Sequence, residues 1–428
     1  MKAISFLGFT KYEETTYLHP IKQGVFFKTP FFQEALVEFY QPEILYVLLT
    51  KTVETQIPKG ATETNWDALK EKLDGKEVNG KKLNLQPIKN IPERNSPEDV
   101  WWIFQEITNN LQDGDRVIFD ITYSFRSLPV VVLLAVTYLR VVRNVNIEGL
   151  IYGAYEAKNK ETNETPTFDL LPIVSLLNWT TATDQFLQTG NGEALASLLH
   201  NSKPETENLA SSIKGIAQGL QLLRPMDVMR ESALLPEHIA EATPVISQFV
   251  PPFATLLKRV EKDYGDFGLN NPEEYITNSK VVLLKQLSMI EWYTAKGQTV
   301  QALSLAREWL PSLLCHHFQL DPLEKANRDE MELLLNGGKI KDSNGNTIKE
   351  SSYLAQWSSL VKKKRKQINN LWGGEFNLAN LRNDALHAGF RKKPKSAEEI
   401  IKQTEIIIKE LKAIAVVWEL TNANDNGN

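Results

Sequence analysis

Cysteine is almost absent from this sequence, since Cys315 is the only one among 428 residues. A disulfide scaffold and a cysteine-ligated zinc or iron–sulfur site are therefore excluded. Long apolar runs are also missing: the longest, Leu128 to Val142, is too short to span a membrane and contains Thr137 and Arg140. Residues 1–8 lack the regions of a signal peptide. We expect a soluble protein of a reducing, cytoplasmic compartment that makes no contact with a membrane.

The sequence also lacks an excess of positive charge. Its 48 Lys and Arg are outnumbered by 53 Asp and Glu, which gives a formal net charge of −5 at pH 7. A polycation that coats nucleic acid is excluded, so any contact with nucleic acid must be local. Hydrophobic residues at 42% and charged residues at 24% are typical of a globular protein. A chain of 428 residues is long enough for two or three domains.

The first 180 residues alternate strand-like and helix-like segments. Helical spacing predicts helices over residues 30–40, from an N-cap at Ser96 to about residue 111, and from about Pro129. Apolar runs predict strands at residues 3–9, 43–50, 116–121 and 146–152. This order predicts an α/β domain with a parallel sheet and helices on both of its faces. In such sheets, ligands bind beyond the C-terminal strand ends, near a switch in strand order.

The sequence beyond about residue 181 is different. Strand signals fade and apolar residues recur at helical spacing, with breaks at several prolines and at residues 263–272. Gly337-Gly338 and residues 342–346 predict a loop between two helices. We therefore expect an all-helical C-terminal half after the α/β domain.

A polar segment, residues 120–129, lies where a predicted strand ends and a helix begins. Backbone N–H groups and a helix N-terminus converge at such a turn, so Thr122, Ser124 and Arg126 could complete a cradle for a phosphate. The alternative is an ordinary capped turn, in which Arg126 is solvated and Ser127 caps the helix. Local sequence alone slightly favours the ordinary turn.

Two other polar residues follow predicted strands. Thr10 comes after the first strand in the run Gly8-Phe9-Thr10, and Thr50 closes the second. The C-terminal ends of parallel strands meet at one edge of a sheet, so these residues should converge with the 120–129 segment. The convergence favours a nucleotide-like ligand, although the sequence lacks the glycine-rich loop of a P-loop or Rossmann site.

A second candidate site is the pair Arg382 and His387, with Asn383 between them. Residues 361–395 hold ten Lys or Arg and two acids, a local charge of +8 in a chain of −5. An imidazole that transfers protons and an arginine that binds phosphate charge suit cleavage of RNA without a metal. The alternative is a helix C-terminus, where His387 and Arg391 complement the helix dipole and Gly389 ends the helix.

Two further clusters are weaker candidates. His316 and His317 beside Cys315 suggest a metal site, but adjacent helical residues point in different directions, so we interpret them as ordinary helix residues. The basic run at residues 362–366 is typical of a solvated helix face, and attraction of RNA is the alternative.

Taken together, these features resemble the CRISPR-associated CARF–HEPN ribonucleases of type III systems. Residues 3–10, a strand ending in Gly-Phe-Thr, look like the start of the family's CARF domain. Residues 120–129 resemble its Asp-x-Thr-x-x-Phe-Arg-Ser-like run, although Tyr123-Ser124 replace a more glycine-rich turn. Arg382-Asn383-x-x-x-His387 matches the HEPN signature, and residues 301–308 resemble the first long HEPN helix.

The resemblance implies a Rossmann-like CARF domain at residues 1–180, a helical linker region at 181–280 and a HEPN domain at 281–428. It implies a homodimer, with higher oligomers possible, that cuts single-stranded RNA without a metal or cofactor. The activator would be a cyclic oligoadenylate, with cyclic tetra-adenylate favoured. The resemblance assigns catalysis to Arg382, Asn383 and His387, and contacts with the activator to Thr10, Thr50, Thr122, Ser124 and Arg126.

Two other functions remain open at this point. A non-catalytic CARF sensor would signal through a partner, and a CARF transcription regulator would carry a helix-turn-helix, of which the sequence after residue 181 shows no sign. A toxin-like HEPN ribonuclease would cut RNA without control by cyclic oligoadenylate.

Overall fold

The computed structural model describes residues 1–94, 96–124 and 128–421. The chain divides into two compact units, Met1–Leu177 and Asn178–Asn428. Among the described residues, no helix is both long and apolar enough to cross a membrane.

The first unit is an α/β domain. Its helices are α1 (Phe32–Tyr40), α2 (Lys51–Thr55), α3 (Asn65–Leu73), α4 (Pro97–Asn109) and α5 (Leu128–Val142). Its strands are β1 (Lys2–Phe6), β2 (Thr15–Leu18), β3 (Phe26–Thr29), β4 (Ile44–Thr50), β5 (Glu77–Val78), β6 (Lys81–Lys82), β7 (Asn84–Ile91), β8 (Arg116–Asp120), β9 (Asn146–Gly153), β10 (Glu164–Thr165) and β11 (Thr167–Asp169). The four strands and three helices predicted from the sequence are all present.

Six of the described strands form the main sheet, in the order β11-β9-β8-β1-β4-β7. All neighbouring strands are parallel except β11, which pairs antiparallel with β9 at one edge. From β1, the chain adds β4 and β7 on one side and then β8 and β9 on the other. The strand order therefore switches between β1 and β8, which is where an open parallel sheet forms its ligand crevice.

The two faces of this sheet are buried in two separate cores. Along β1, Ile4 and Phe6 join the core formed with α4 and α5, whereas Ala3 and Leu7 join the core formed with α1 and α3. The alternation follows from the pleat, which sends successive side chains to opposite faces. The predicted cover of helices on both faces of the sheet is confirmed.

Helix α4 begins at the N-cap predicted from the sequence. The Ser96 hydroxyl accepts the Asp99 N–H at 3.2 Å, and the Asp99 carboxylate accepts the Ser96 N–H at 3.3 Å. This reciprocal pair satisfies two N–H groups that the first helical turn leaves without partners.

The second unit is mainly helical. Helix α6 (Leu171–Thr189) begins in the first unit and ends in the second. The other helices are α7 (Glu193–His200), α8 (Glu207–Gln221), α9 (Pro225–Phe249), α10 (Phe253–Tyr264), α11 (Tyr275–Ala295), α12 (Thr299–His317), α13 (Lys325–Leu335), α14 (Leu354–Ser359), α15 (Lys362–Trp372), α16 (Leu378–Leu386) and α17 (Ala397–Val417). Trp309 on α12 is fully buried and donates its indole N–H to the Leu283 carbonyl at 2.8 Å, which ties α12 to α11.

The second unit is not entirely helical, which corrects the sequence prediction. Where we expected a loop between helices, strands β12 (Lys339–Lys341) and β13 (Thr347–Glu350) form an antiparallel hairpin. The Asp342 carboxylate accepts the N–H groups of Asn344 and Asn346, and it thereby shapes the turn between the strands. Every residue of both strands is exposed, so the sequence has no buried face whose pattern would have predicted them.

Candidate functional site

A cavity of about 290 Å³ lies at the C-terminal ends of the parallel strands in the first unit. It is lined mainly by apolar side chains, among which a carboxylate and two threonines stand out: Phe6, Leu7, Gly8, Phe9, Leu48, Thr50, Thr52, Val53, Ile91, Glu93, Tyr123 and Leu128. The cavity adjoins the point where the strand order switches, as expected for an open α/β sheet. Of the residues that the sequence assigned to a ligand, Thr50 lines it.

Thr50 closes β4 and opens α2. Its hydroxyl accepts the Val53 N–H at 3.2 Å as the N-cap of that short helix. Beside it, the Glu93 carboxylate accepts the Thr52 N–H at 3.0 Å. Hydrogen bonds from Thr52 and Thr50 lower the pKa of Glu93, so the cavity carries a negative charge at neutral pH. The sequence analysis missed Glu93, because nothing in its local sequence marks it.

Three of the other predicted ligand residues, Thr10, Thr122 and Ser124, lie at the same edge of the sheet. Thr122 donates its N–H to Asp120 at 2.8 Å, and its hydroxyl accepts the Gly153 N–H at 2.9 Å. The Ser124 hydroxyl donates to the Ile121 carbonyl at 2.8 Å. Thr10 is exposed, and its carbonyl accepts the Asn65 amide. Neither Thr122, Ser124 nor Thr10 lines the cavity itself, and Arg126 lies outside the described residues.

Three tyrosines pack together at this edge of the sheet, namely Tyr12, Tyr17 and Tyr123, and the sequence analysis assigned them no role there. The hydroxyls of Tyr17 and Tyr123 are 2.8 Å apart, and Tyr123 also donates to the Pro30 carbonyl at 2.9 Å. The Tyr12 ring packs against the Tyr123 ring with centroids 4.1 Å apart and the ring planes tilted by 31°. Burial raises the pKa of each phenol, so all three stay protonated at neutral pH. Tyr123 therefore presents a fixed aromatic ring to the cavity.

Asp120 lies beneath the same turn and is fully buried. Its two carboxylate oxygens accept the Ser5 hydroxyl at 2.5 Å and the Thr122 N–H at 2.8 Å. Burial raises the pKa of this carboxyl to about 6, and the hydrogen bonds from Ser5 and Thr122 oppose that rise. Asp120 thus joins β1 to β8 across the point where the strand order switches.

The second candidate site lies at the end of α16. Arg382 and Asn383 are in the last turns of the helix, and His387 is its exposed C-cap. Arg382 donates from Nη1 to the Asn383 side-chain oxygen at 3.0 Å, while its buried Nε has no hydrogen-bond partner among the described residues. Because only one nitrogen of this guanidinium donates a hydrogen bond among the described residues, its other N–H groups remain available to an anionic ligand.

The helix ends one residue earlier than the alternative interpretation assumed. Ala388 takes the left-handed conformation with φ of 51°, directly after His387, and Gly389 follows with φ of 73°. His387 therefore lies at the negative end of the helix dipole. This position agrees with a structural role for His387 and is equally compatible with catalysis.

Asp384 is the residue that the sequence analysis overlooked at this site. It is buried, and its carboxylate accepts the Lys395 N–H at 3.0 Å and lies 3.6 Å from the Arg391 Nε. Arg391 also donates to the Asn380 side chain at 2.7 Å. The loop after His387 is therefore anchored to α16 at both Arg391 and Lys395.

The basic run at residues 362–366 forms the start of α15. Lys364 lies 3.5 Å from Glu419 and over the Trp418 ring, at 5.4 Å from its centroid. Three other lysines of the run are exposed and make no ion pair within the described part of the chain: Lys362, Lys363 and Lys366. The run thus has one packed side and one solvated, basic side.

The cluster at the end of α12 has the contacts of packed helix residues. His316 contacts the Ser279 hydroxyl at 2.7 Å, and the His317 ring packs 5.1 Å from the Trp418 ring. Cys315 is buried, and burial raises the pKa of its thiol to about 11. The described residues contain no group of histidine, cysteine and acidic side chains that could hold a metal.

Comparison with known proteins places the first unit in a family. Residues 2–156 match the family of CARF domains from the CRISPR system endoribonuclease Csx1. The first unit is a CARF domain. Residues 175–272 match the second domain of the CRISPR-associated protein MJ1674, so residues 273–428 lie outside both matches. The resemblance to CARF-containing CRISPR-associated proteins, predicted from the sequence, is confirmed.

Two relatives extend this comparison beyond the CARF domain. The chain is 24% identical over 198 residues to the CRISPR-associated protein MJ1674 of Methanocaldococcus jannaschii. That alignment covers 45% of this chain and 31% of the relative, so it spans about a third of the relative's length. The fold is similar to that of Enterococcus italicus Csm6 bound to cyclic hexa-2′-fluoro-hexa-dAMP, with a TM-score of 0.50 and 10% identity. The similarity covers 99% of this chain and 96% of Csm6.

Proposed function

We propose that the chain is an endoribonuclease of type III CRISPR defence that cyclic oligoadenylate activates and that cuts single-stranded RNA without a metal. The observation that carries the proposal is the pairing of a CARF domain with an Arg382-Asn383-x-x-x-His387 helix end in a locally basic segment. The fold similarity to Csm6 extends over nearly the whole chain, and it supports the same order of an α/β domain followed by a helical region.

The activator would bind at the C-terminal strand ends of the CARF domain. The cavity there combines an apolar floor and an aromatic wall with threonine hydroxyls, which suits purine bases and ribose. Ring phosphates would meet the turn that carries Thr122, Ser124 and Arg126, with Thr10 and Thr50 at its sides. The bound ligand of Csm6, a cyclic oligoadenylate analogue, supports this class of activator. Cyclic tetra-adenylate is the ring that we favour.

Cleavage would proceed by in-line attack of the RNA 2′-hydroxyl on the adjacent phosphorus. His387 would transfer the proton, Arg382 would stabilise the charge of the phosphorane, and Asn383 would orient Arg382. The product would carry a 2′,3′-cyclic phosphate, and DNA would resist because it has no 2′-hydroxyl. Removal of divalent metals would leave the rate unchanged.

A homodimer would complete the site, because one arginine and one histidine offer few groups for a charged phosphorane. One face of α5 supports this assembly, since it exposes apolar residues at helical spacing: Val130, Leu134, Tyr138 and Val141. Contiguous apolar surface of this kind is rarely left in contact with water. A second copy of the chain, related by a two-fold axis, would cover it.

The deciding experiment is cleavage of a labelled single-stranded RNA in EDTA, with and without cyclic tri-, tetra- and hexa-adenylate. We expect cleavage with one ring size and almost none without an activator. Equal cleavage without any ring would indicate a toxin-like ribonuclease. Binding of a ring without cleavage, seen as a rise in thermal stability, would indicate a non-catalytic sensor. Cleavage that EDTA abolishes would contradict the metal-free mechanism.

A further inference from the structure

Phe390 is the most exposed large apolar side chain among the described residues, with 91% of its surface accessible. It lies three residues after His387, in the loop that follows α16. Burying a phenylalanine side chain removes apolar surface from water and thereby stabilises a protein. The Phe390 ring does not gain this stabilisation within the chain, so its faces are free to contact a ligand.

The loop holds the backbone of Phe390 in a defined place beside the candidate catalytic residues. The Phe390 N–H donates to the His387 carbonyl at 3.0 Å. The following residues are anchored to α16 through buried Asp384, which accepts the Lys395 N–H and lies against Arg391. The ring is therefore exposed on an anchored backbone, next to the end of the helix that carries Arg382 and His387.

The surroundings of the ring are strongly basic. Residues 386–396 contain four cations and no acid, namely Arg391, Lys392, Lys393 and Lys395. An exposed aromatic ring among cations is the combination by which proteins bind single-stranded nucleic acid, since the cations attract phosphates while the ring stacks on a base.

We propose that Phe390 is a base-stacking platform, on which one base of the RNA substrate rests beside the scissile phosphate. The proposal builds on the ribonuclease function proposed above and adds a residue that positions the substrate. Stacking depends on the flat face of an aromatic ring, so tryptophan should replace Phe390 and an aliphatic side chain should not. Stacking is also uncharged, so it should leave the salt dependence of binding unchanged.

The test is binding of a 2′-O-methylated 12-nucleotide RNA, which cannot be cut, to the full chain in EDTA. Fluorescence anisotropy should show that Phe390→Ala and Phe390→Leu weaken binding about 5- to 100-fold, whereas Phe390→Trp binds as well as the wild type. Ile348→Ala is the matched control, since Ile348 is an exposed apolar residue outside this loop and its loss should change nothing. Lys392→Ala should reduce the slope of log Kd against log salt by about 0.7, which Phe390→Ala should not do.

The outcomes separate this proposal from the proposed function. If the wild type binds RNA through Phe390 and cuts none with any activator, the ribonuclease function fails and the stacking platform stands. If the wild type cuts RNA and all three Phe390 variants bind like the wild type, the platform fails alone. A Leu variant that binds normally while the Ala variant does not would show packing rather than stacking, and would also overturn the proposal. Phe390 variants that change the oligomeric state in light scattering, without loss of RNA binding, would also overturn the proposal.

Discussion

Two buried carboxylates shape the backbone beside the two candidate sites. Asp120 accepts the Thr122 N–H at the end of β8, and Asp384 accepts the Lys395 N–H after α16. A buried carboxylate is costly unless its oxygens accept hydrogen bonds, so both residues depend on the turns that they stabilise. Each of these two aspartates positions a loop, and residues that would contact the activator or the RNA lie in or beside that loop.

Asp120 should make stability depend on pH in an unusual direction. Its pKa is raised to about 6 from 3.8, so between these values the folded chain keeps a proton that the unfolded chain releases. The contribution of Asp120 to the free energy of unfolding therefore falls as pH rises from 4 to 6, by about 3 kcal/mol. Asp120→Asn should remove this dependence, which urea unfolding at pH 4.5 and 7 can measure. An unchanged difference between the two pH values would contradict the raised pKa.

His387 and Arg382 should be essential for cleavage and unnecessary for binding of the activator. Loss of a positioned proton-transfer group lowers a rate by about 10²–10⁴-fold, so we expect losses of that size in His387→Ala and Arg382→Ala. His200→Ala is the matched control, because His200 is also an exposed histidine at the end of a helix, α7. Rates come from single-turnover cleavage in EDTA. Persistent cleavage by His387→Ala would rule out this mechanism.

The sequence predicted the place of the CARF cavity better than its lining. Thr50 was predicted because it follows an apolar run, and strand ends are visible in a sequence. Glu93, Tyr12 and Tyr17 were missed, because they come from the segment after β7, from a loop and from strand β2 of the small sheet, and the approach of these segments to the site depends on tertiary packing. The Arg382 and His387 pair was visible as a motif, whereas the contact of Asp384 with Lys395 depends on how the loop folds back.

At the scale of elements, the buried strands were predictable and the edge strands were not. β1 and β4 are apolar and were identified, whereas β7 contains Pro87, Lys89 and Asn90 and was missed. β7 lies at the edge of the sheet, where one side of the strand needs no partner and polar residues are tolerated. The hairpin of β12 and β13 was missed for the related reason that it buries nothing.

The turn after β8 should set the affinity for the activator. Arg126→Ala and Ser124→Ala should raise the activator concentration that gives half-maximal cleavage, and saturating activator should restore the rate. The reason is that a ligand activates only through the difference between its affinities for the inactive and the active state of the protein. Ser124 would act by shaping the turn, since its hydroxyl donates to Ile121. Arg116→Ala is the control, because Arg116 is an exposed arginine at the opposite end of the same strand. If Arg126→Ala and Ser124→Ala both behave like this control, the activator does not bind at this turn.

At the scale of the whole molecule, the apolar face of α5 should be the contact between two copies. Light scattering should give about twice 48.6 kDa for the wild type. Leu134→Glu should produce a monomer that has lost cleavage, because a charge on this face has to be desolvated in the dimer. Ile21→Glu changes an equally apolar and exposed residue of the same unit outside α5 and should leave the dimer intact. A dimer that survives Leu134→Glu would place the contact elsewhere.

The burial of Cys315 has a practical consequence for following activation. Its thiol is enclosed on α12 and its pKa is raised to about 11, so at neutral pH it is neither accessible nor ionised for alkylation. A second cysteine placed at an exposed position such as Lys393 would be the reactive thiol of each subunit, and a spin label would attach there alone. In a two-fold symmetric dimer, such a label reports one distance between its two copies. Electron paramagnetic resonance could then compare that distance with and without cyclic oligoadenylate, in a protein that needs no prior removal of native cysteines.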